Sequence, residues 1–318
     1  MSWLSRVRID RFLVAIIIAA VVASILPASG VWADVLGWAT SAAIALLFFL
    51  YGARLSPAET LAGLRHWRLH ATILAFTYVL FPLIGLALVA ATRTVLSPGL
   101  QAGLLYLTLV PSTVQSSIAR GNVAGAVVSA SASNILGVFL TPLLCWLLMS
   151  GTGQVAFTTS TIIEIVLQIF LPFVLGQLSR RWTAGYVAAH PELKLVDRGS
   201  IVLVVYSAFS EGMREGMWSQ TSAADLGMLV VLSLLILAVM LALTWSVARR
   251  LGFNRADAIA IQFCGTKKSL ASGLPMAGVL FAGQPLGLLM LPLVLFHQAQ
   301  LMACSALAGR YARSTTDA

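Results

Sequence analysis

Charge is the first thing this sequence lacks. Asp, Glu, Lys and Arg make up 10% of its 318 residues, against about a quarter in soluble domains. So few charges cannot cover an apolar interior with a polar skin, which excludes a soluble globular enzyme or binding module. Cysteine is scarce too. Cys145, Cys264 and Cys304 cannot build a disulfide framework, lie at no metal-ligand spacing and sit in or beside apolar runs, so buried thiols are expected. Glycine has no collagen period, and a hydrophobic content of 59% excludes disorder. There is no Gly-x-Ser-x-Gly, no P-loop, no His-rich metal spacing and no pair of carboxylates. Neither an enzyme nor a metal or cofactor site is expected. What is present is a chain of long apolar runs, hence an all-α polytopic membrane protein.

A bilayer core of about 30 Å takes about 20 apolar residues per helix. Charge-free runs of that size occur at 12–33, 35–53, 69–92 and 94–119. A fifth region, 121–163, is too long for one helix and divides at Ser150-Gly151-Thr152-Gly153. A sixth span surrounds Glu164 and ends before Arg180-Arg181. A seventh starts at Gly199 and continues past Glu211, and an eighth covers 226–247. The stretch 258–309 is interrupted at Lys267-Lys268 and turned near Gly283-Gln284-Pro285, giving the ninth and tenth. Ten transmembrane helices result. The amino-terminal run before Pro27 resembles a signal peptide, but its length and the spans after it predict an uncleaved first helix.

The excess of 20 basic over 11 acidic residues, a formal +9, then has a topological meaning. With both termini cytoplasmic, one side carries Arg6, Arg8, Arg11, Arg54, Arg65, Arg68, Arg120, Arg180, Arg181, Lys194, Arg198, Arg249, Arg250, Arg255, Arg310 and Arg313. Those are sixteen of the twenty. Arg93 and Arg214 fall outside, and the two lysines fall within a span. The partition follows the positive-inside rule and removes nucleic acid as a partner. Trp67 and Arg68, after the amphipathic stretch 55–66, have the composition of a linker lying on anionic lipid.

Two halves of five spans, 1–153 and 154–318, align at an offset of 153. Pro111-Ser112-Thr113-Val114-Gln115-Ser116 then meets Cys264-Gly265-Thr266-Lys267-Lys268-Ser269, and both interruptions lie in the fourth span of their half. An odd number of spans per half predicts inverted repeats with broken crossing helices 4 and 9. Such paired interruptions point to the central site of a transporter, because freed backbone groups are tolerated at membrane depth only where protein, water or ligand satisfies them.

At these residues the sequence resembles the SBF-like branch of the bile acid:sodium symporter superfamily. The resemblance is carried by Val110-Pro111-Ser112-Thr113-Val114-Gln115-Ser116-Ser117, by Arg120-Gly121-Asn122, by Ser131-Ala132-Ser133-Asn134 and by Leu140-Thr141-Pro142. It is carried again by Phe263-Cys264-Gly265-Thr266-Lys267-Lys268-Ser269-Leu270 and Gly273-Leu274-Pro275-Met276. It implies a panel domain of spans 1, 2, 6 and 7 and a core domain of spans 3–5 and 8–10. Alternating access would move a small organic, anionic solute through a bacterial inner membrane. It also implies where a sodium site would lie. Ser112 matches a sodium ligand, but Thr113 stands at an Asn position, Ala126 and Ala130 at Ser and Thr positions, Gln262 at a Glu position and Thr266 at a Gln position. With the carboxylate gone and two lysines adjacent, sodium at that site is not expected; like charges at 4 Å repel by roughly 4 kcal/mol at an effective dielectric of 20. The orphan branch implies an alternative function, a regulatory membrane protein linked to calcium homeostasis with little transport.

Lys267 and Lys268 are the residues that apolar surroundings least accommodate. Three roles are open. An ammonium could hold the crossing together by donating to Ser112, Thr113, Gln115 or carbonyls; it could meet an anionic substrate; or it could carry a proton. A lysine snorkelling to the interface is the plain alternative. On a helix the two would point about 100° apart and so serve different roles. Glu164, the carboxylate inside a span, is a candidate for proton-linked work or a hydrogen-bonded panel residue. His297, Gln298 and Gln300 form a polar patch expected to satisfy neighbouring helices. Asn134 is the fifth-span residue expected beside the first break. The crossing region thus comprises Pro111, Ser112, Thr113, Gln115, Ser116, Asn134, Gln262, Thr266, Lys267, Lys268 and Ser269.

Overall fold

The computed structural model describes residues 11–54, 66–113, 121–150, 158–219 and 221–313. The expected interfacial linker up to Arg65, the repeat boundary at 151–154, and Gln115 and Ser116 lie outside them. The described residues form helices and no strands. In chain order these are α1 (Arg11–Ile25), α2 (Val31–Arg54), α3 (Trp67–Thr92), α4 (Pro98–Leu109), α5 (Val123–Met149) and α6 (Thr159–Ala189). They continue with α7 (Leu193–Arg214), α8 (Ala223–Arg250), α9 (Arg255–Thr266), α10 (Leu270–Leu280) and α11 (Leu286–Arg313). Six helices, α2, α3, α5, α6, α8 and most of α11, are long and apolar enough to cross a membrane. All three cysteines are free and buried.

Two expected boundaries move. The first and second spans part at 26–30 rather than near Ala33, because Pro27 cannot continue α1 and Gly30 takes a left-handed φ of 56°. Helix α6 does not stop before Arg180-Arg181 but runs to Ala189, and only 190–192 separate it from α7. A basic pair ends an apolar run without ending a helix, since Arg is a good helix former; the stretch 180–198, which falls between the expected sixth and seventh spans, is therefore a helical hairpin.

Proline also shapes α3 and α6 from within. Each carries one π-helical turn, Phe76–Leu80 and Val166–Phe170, placed just before Pro82 and Pro172. In α3 the Phe81 N–H reaches back five residues to the Phe76 carbonyl. Pro82 has no N–H to give, so the Thr77 carbonyl is left with no donor from its own helix.

The chain divides into two compact units. The first contains the described residues of Met1–Leu55, Ala156–Thr221 and Leu274–Met290. Within it α2 and α6 cross at two glycines: a Cβ on Gly52 would lie 2.2 Å from the Phe173 carbonyl oxygen, and one on Gly176 would lie 2.1 Å from that of Phe49. Only hydrogen side chains permit this approach, the usual basis of tight helix packing in lipid. Beside it Leu50, Ala53 and Val187 form a small core, and Arg54 pairs with Asp197. Arg214 and Tyr206 donate to the carbonyls of Ala28 and Leu26, which the α1–α2 break leaves free. Gly176→Ala is expected to cost about 1–3 kcal/mol through forced separation of backbones. Thermal unfolding in detergent should show the loss, while Gly185→Ala, where a Cβ meets nothing within 4 Å, should be neutral.

The second unit contains the described residues of Ser56–Val155, Ser222–Gly273 and Leu291–Ala318. Here α3 packs on α5 through His70 Nδ1 and Ser129 Oγ at 2.6 Å, and Tyr78 donates to the Ser133 carbonyl at 2.5 Å. Gly85 of α3 lies against Thr108 of α4. Both interruptions, after α4 and after α9, fall within this unit.

Candidate functional site

Helix α4 ends at Leu109 because Pro111 follows. Val110 turns extended, with φ −73° and ψ 156°, as a residue before proline does. Helix α9 ends at Thr266, and Lys267 is extended at φ −87° and ψ 147°. The backbone resumes as helix at Leu270, with Ser269 Oγ accepting from the Ser272 N–H at 3.3 Å. The two extended segments meet. Ser269 N–H donates to the Pro111 carbonyl at 2.8 Å, and the Ser112 hydroxyl donates to the Cys264 carbonyl. Each break supplies what the other leaves unsatisfied.

Because Lys267 is extended, the two lysines diverge by more than the angle expected on a helix; successive residues of an extended chain point to opposite sides. Lys268 is fully buried. Its Nζ donates to three carbonyls: Thr77 at 3.0 Å, Thr108 at 2.8 Å and Val110 at 2.9 Å. Each acceptor has a local reason to be available. Thr77 is the carbonyl that the π turn and Pro82 orphan. Thr108 lies in the last turn of α4, where helix carbonyls have no onward partner. Val110 lies outside the helix altogether. The ring of Phe81 closes the cage, its centroid 4.2 Å from Nζ. The position is also favourable for charge, since a helix C-terminus carries the negative end of its dipole. Three N–H donors on one nitrogen describe an ammonium, because a neutral amine has two.

Lys267, 1% exposed, takes the other direction and approaches the ring of Phe263 at 5.6 Å. Around the lysines the backbone is clasped by Gln300 of α11. Its Oε1 accepts from Lys268 N–H at 2.9 Å, and its Nε2 donates to the Lys268 carbonyl at 2.8 Å. The remaining amide hydrogen faces His297 Nδ1 at 2.8 Å, so that nitrogen is the acceptor. Gln300 was legible only as a polar residue in an apolar span; its part in the site has no motif of its own. Thr77 and Thr108 act through backbone and leave no side-chain signal at all.

The first break is held from α5. Ser133 Oγ accepts from the Ser112 N–H at 3.0 Å, and Asn134 Nδ2 donates to the Ser112 carbonyl at 3.2 Å. Asn134 Oδ1 in turn accepts from the Ser272 hydroxyl at 2.5 Å. Pro111, Ser112, Asn134, Lys268 and Ser269 are thereby brought into one network. Thr113 is partly exposed at the end of the described segment. Gln262 and Thr266 are turned elsewhere: Gln262 accepts from the Tyr311 hydroxyl at 2.8 Å and donates to the Leu241 carbonyl at 3.0 Å, while Thr266 pairs with Thr244 at 3.2 Å. Glu164 lies on α6 in the first unit, half-buried and in no ion pair among the described residues.

A model of the SBF-like CPA transporter family matches residues 10–313. An uncharacterised protein of Pseudomonas aeruginosa is 50% identical, covering 97% of this chain and 95% of its own. The putative symporter YfeH of Escherichia coli K12 is 45% identical, covering 96% and 94%. Sodium/bile acid cotransporter 7 of Rattus norvegicus is 30% identical over 96% and 94%.

Proposed function

This chain belongs to the SBF-like CPA transporter family, a membrane transporter of the bile acid:sodium symporter type and not an enzyme, and from that premise we propose that it moves an organic anion by alternating access with a lysine of its own in place of a bound coupling cation at the crossing. The observation that carries the proposal is the Lys268 ammonium, held by three carbonyls and an aromatic face at the end of a broken helix. Carbonyls freed by helix breaks are the groups that coordinate cations in transporters built on interrupted helices. Here a covalently attached cation uses them.

The oxygen atoms at the positions where the family resemblance would put sodium support the same reading. Ser112 donates to Cys264, Gln262 is bonded at both ends of its amide, and Thr266 pairs with Thr244. Ala126 and Ala130 bring no side-chain oxygen, and no carboxylate stands among these positions. This donor set does not fit sodium. In the ten-span, inverted-repeat reading with cytoplasmic termini, the panel is α1, α2, α6 and α7. The two compact units support that division, with Leu274–Met290 grouped with the panel helices rather than the core. We assign the solute's negative charge to Lys267, the second buried cation, and retain Glu164 as the carboxylate for a proton-linked step.

The test is uptake into proteoliposomes of a panel of organic anions, bile acids included, under sodium, potassium or pH gradients. Replacing sodium with potassium should change uptake by less than about fivefold, the lower end of ordinary coupling between sites. Lys267→Ala should slow it. Uptake that demands sodium and survives unchanged in Lys267→Ala and Lys268→Ala would overturn the reading. Failure to move any solute would favour a regulatory protein linked to calcium homeostasis.

A further inference from the structure

Helix α6 is longer than a membrane requires. Its 31 residues extend about 46 Å at 1.5 Å per residue, against a hydrocarbon core of about 30 Å. Tilted by about 40°, the upper end of the usual range, it still spans about 35 Å. The excess lies at the carboxyl end, since the charge-free run stops before Arg180 and the helix continues to Ala189. The chain then turns at 190–192 and returns as α7. Val187 is buried with Leu50 and Ala53 of α2, and Leu193 and Val196 of α7 pack against them, so the tip is a built part of the first unit.

This tip presents an apolar stripe. Leu171, Leu175, Leu178, Trp182 and Tyr186 recur every three or four residues and share one face of α6, turned away from the Gly176 and Val187 face that packs on α2. The stripe does not end with the apolar run: Leu178, Trp182 and Tyr186 are 69, 72 and 61% exposed, as is Leu195 of α7 at 67%. His190 stacks on the Tyr186 ring, centroids 3.9 Å apart. Trp and Tyr, with an apolar ring and a polar tip, are the residues that favour headgroup depth.

The same tip carries excess positive charge. Arg180, Arg181, Lys194 and Arg198 lie on it, and among the described residues none of them is in a salt bridge. Of its two carboxylates, Asp197 is held by Arg54 with Lys194 close by, which leaves Glu192, exposed at the turn, against the four. The Arg181 guanidinium sits 5.7 Å from the centre of the Trp182 ring, at the border of the stripe. An acidic protein surface would meet the charges but not a stripe continuous with the lipid-facing side of α6. An anionic phospholipid offers acyl chain and phosphate in the same order as the stripe and the basic residues.

We infer that the α6–α7 hairpin is a binding surface for anionic phospholipid, with acyl chains along Leu178, Trp182 and Tyr186 and headgroup phosphates on Arg180, Arg181, Lys194 and Arg198. The leaflet is the one that the positive charges mark as cytoplasmic. The surface belongs to the first unit, apart from the crossing, and would bind lipid whatever solute the protein moves.

The test is thermal unfolding of the purified full chain in a neutral detergent. It would be titrated with dioctanoyl phosphatidylglycerol, dioctanoyl phosphatidylcholine, inorganic phosphate or polyglutamate at equal ionic strength. Phosphatidylglycerol alone should raise Tm. The midpoint of that rise should move to about fivefold more lipid in Lys194→Gln and about 25-fold more in Arg181→Gln/Lys194→Gln, one surface charge being lost at each step. Trp182→Gln should weaken the response too, and Arg249→Gln/Arg250→Gln, on the second unit, should leave it unchanged. All five positions are exposed, so the variants should fold as the parent does, which Tm without lipid checks. The inference fails if phosphatidylglycerol acts no better than phosphatidylcholine, or if phosphate or polyglutamate matches it. It fails equally if the rise is undiminished in the hairpin variants or is lost instead in Arg249→Gln/Arg250→Gln.

Discussion

Lys268→Met should lower the stability of the protein by about 3–5 kcal/mol, the largest loss expected from a single side chain. The substitution keeps the length of the stem and removes the ammonium. Three buried carbonyls then lose their common donor, each at a cost of about 1–3 kcal/mol if nothing replaces it. The contact with Phe81, worth up to about 2 kcal/mol when desolvated, goes with it. Against this stands the relief of no longer burying a charge, which keeps the net below the sum. For a chain of this size the change corresponds to a fall in Tm of about 10 °C. Intrinsic fluorescence during thermal unfolding in detergent would measure it. Lys267→Met is the internal comparison and should fall less, because the three-carbonyl cage belongs to Lys268. A drop below about 2 °C in Lys268→Met would mean that the carbonyls find other donors, and the tether would not be the role of this residue.

Why the ammonium sits where it does explains how far the sequence could be read. Pro111 with Ser112 and Thr113, and the lysine pair, mark the two interruptions by the polar residues clustered in an apolar run; proline alone would not, since Pro142 and Pro292 lie inside α5 and α11. The partners of Lys268 leave no such mark. They are backbone oxygens made available by a π turn, a helix end and a residue before proline, and every residue type carries the same carbonyl. Only Pro82, read as the cause of a freed carbonyl five residues earlier, could have pointed to Thr77. The divergence of the two lysines was readable in kind but not in degree, since it depends on the segment being extended. Helix α6 shows the converse limit: hydropathy marks where lipid ends, and Arg180-Arg181 ended the apolar run at a point where the backbone goes on as helix.

The same separation between side-chain pattern and backbone need makes Gln300 the second test. Its amide is complementary to one peptide group, giving and accepting with Lys268 at 2.8 and 2.9 Å, and it is fully buried. Gln300→Leu preserves bulk and leaves a buried N–H and a buried C=O unpaired, which should cost about 2–4 kcal/mol. His297→Leu removes one outer contact of the same amide and should cost less, about 1 kcal/mol. Gln300 and the Lys268 side chain hold one extended segment from two directions, through its peptide group and through its ammonium. Their losses should therefore not add. Once Lys268→Met has released the segment from α3 and α4, the clasp from α11 has less order to preserve. The double variant should be less destabilised than the sum by about 1 kcal/mol or more, measured from denaturant or thermal unfolding of all four proteins. Strict additivity, within about 0.5 kcal/mol, would show that the two residues stabilise independent parts of the core, and the second break would not be a single cooperative element.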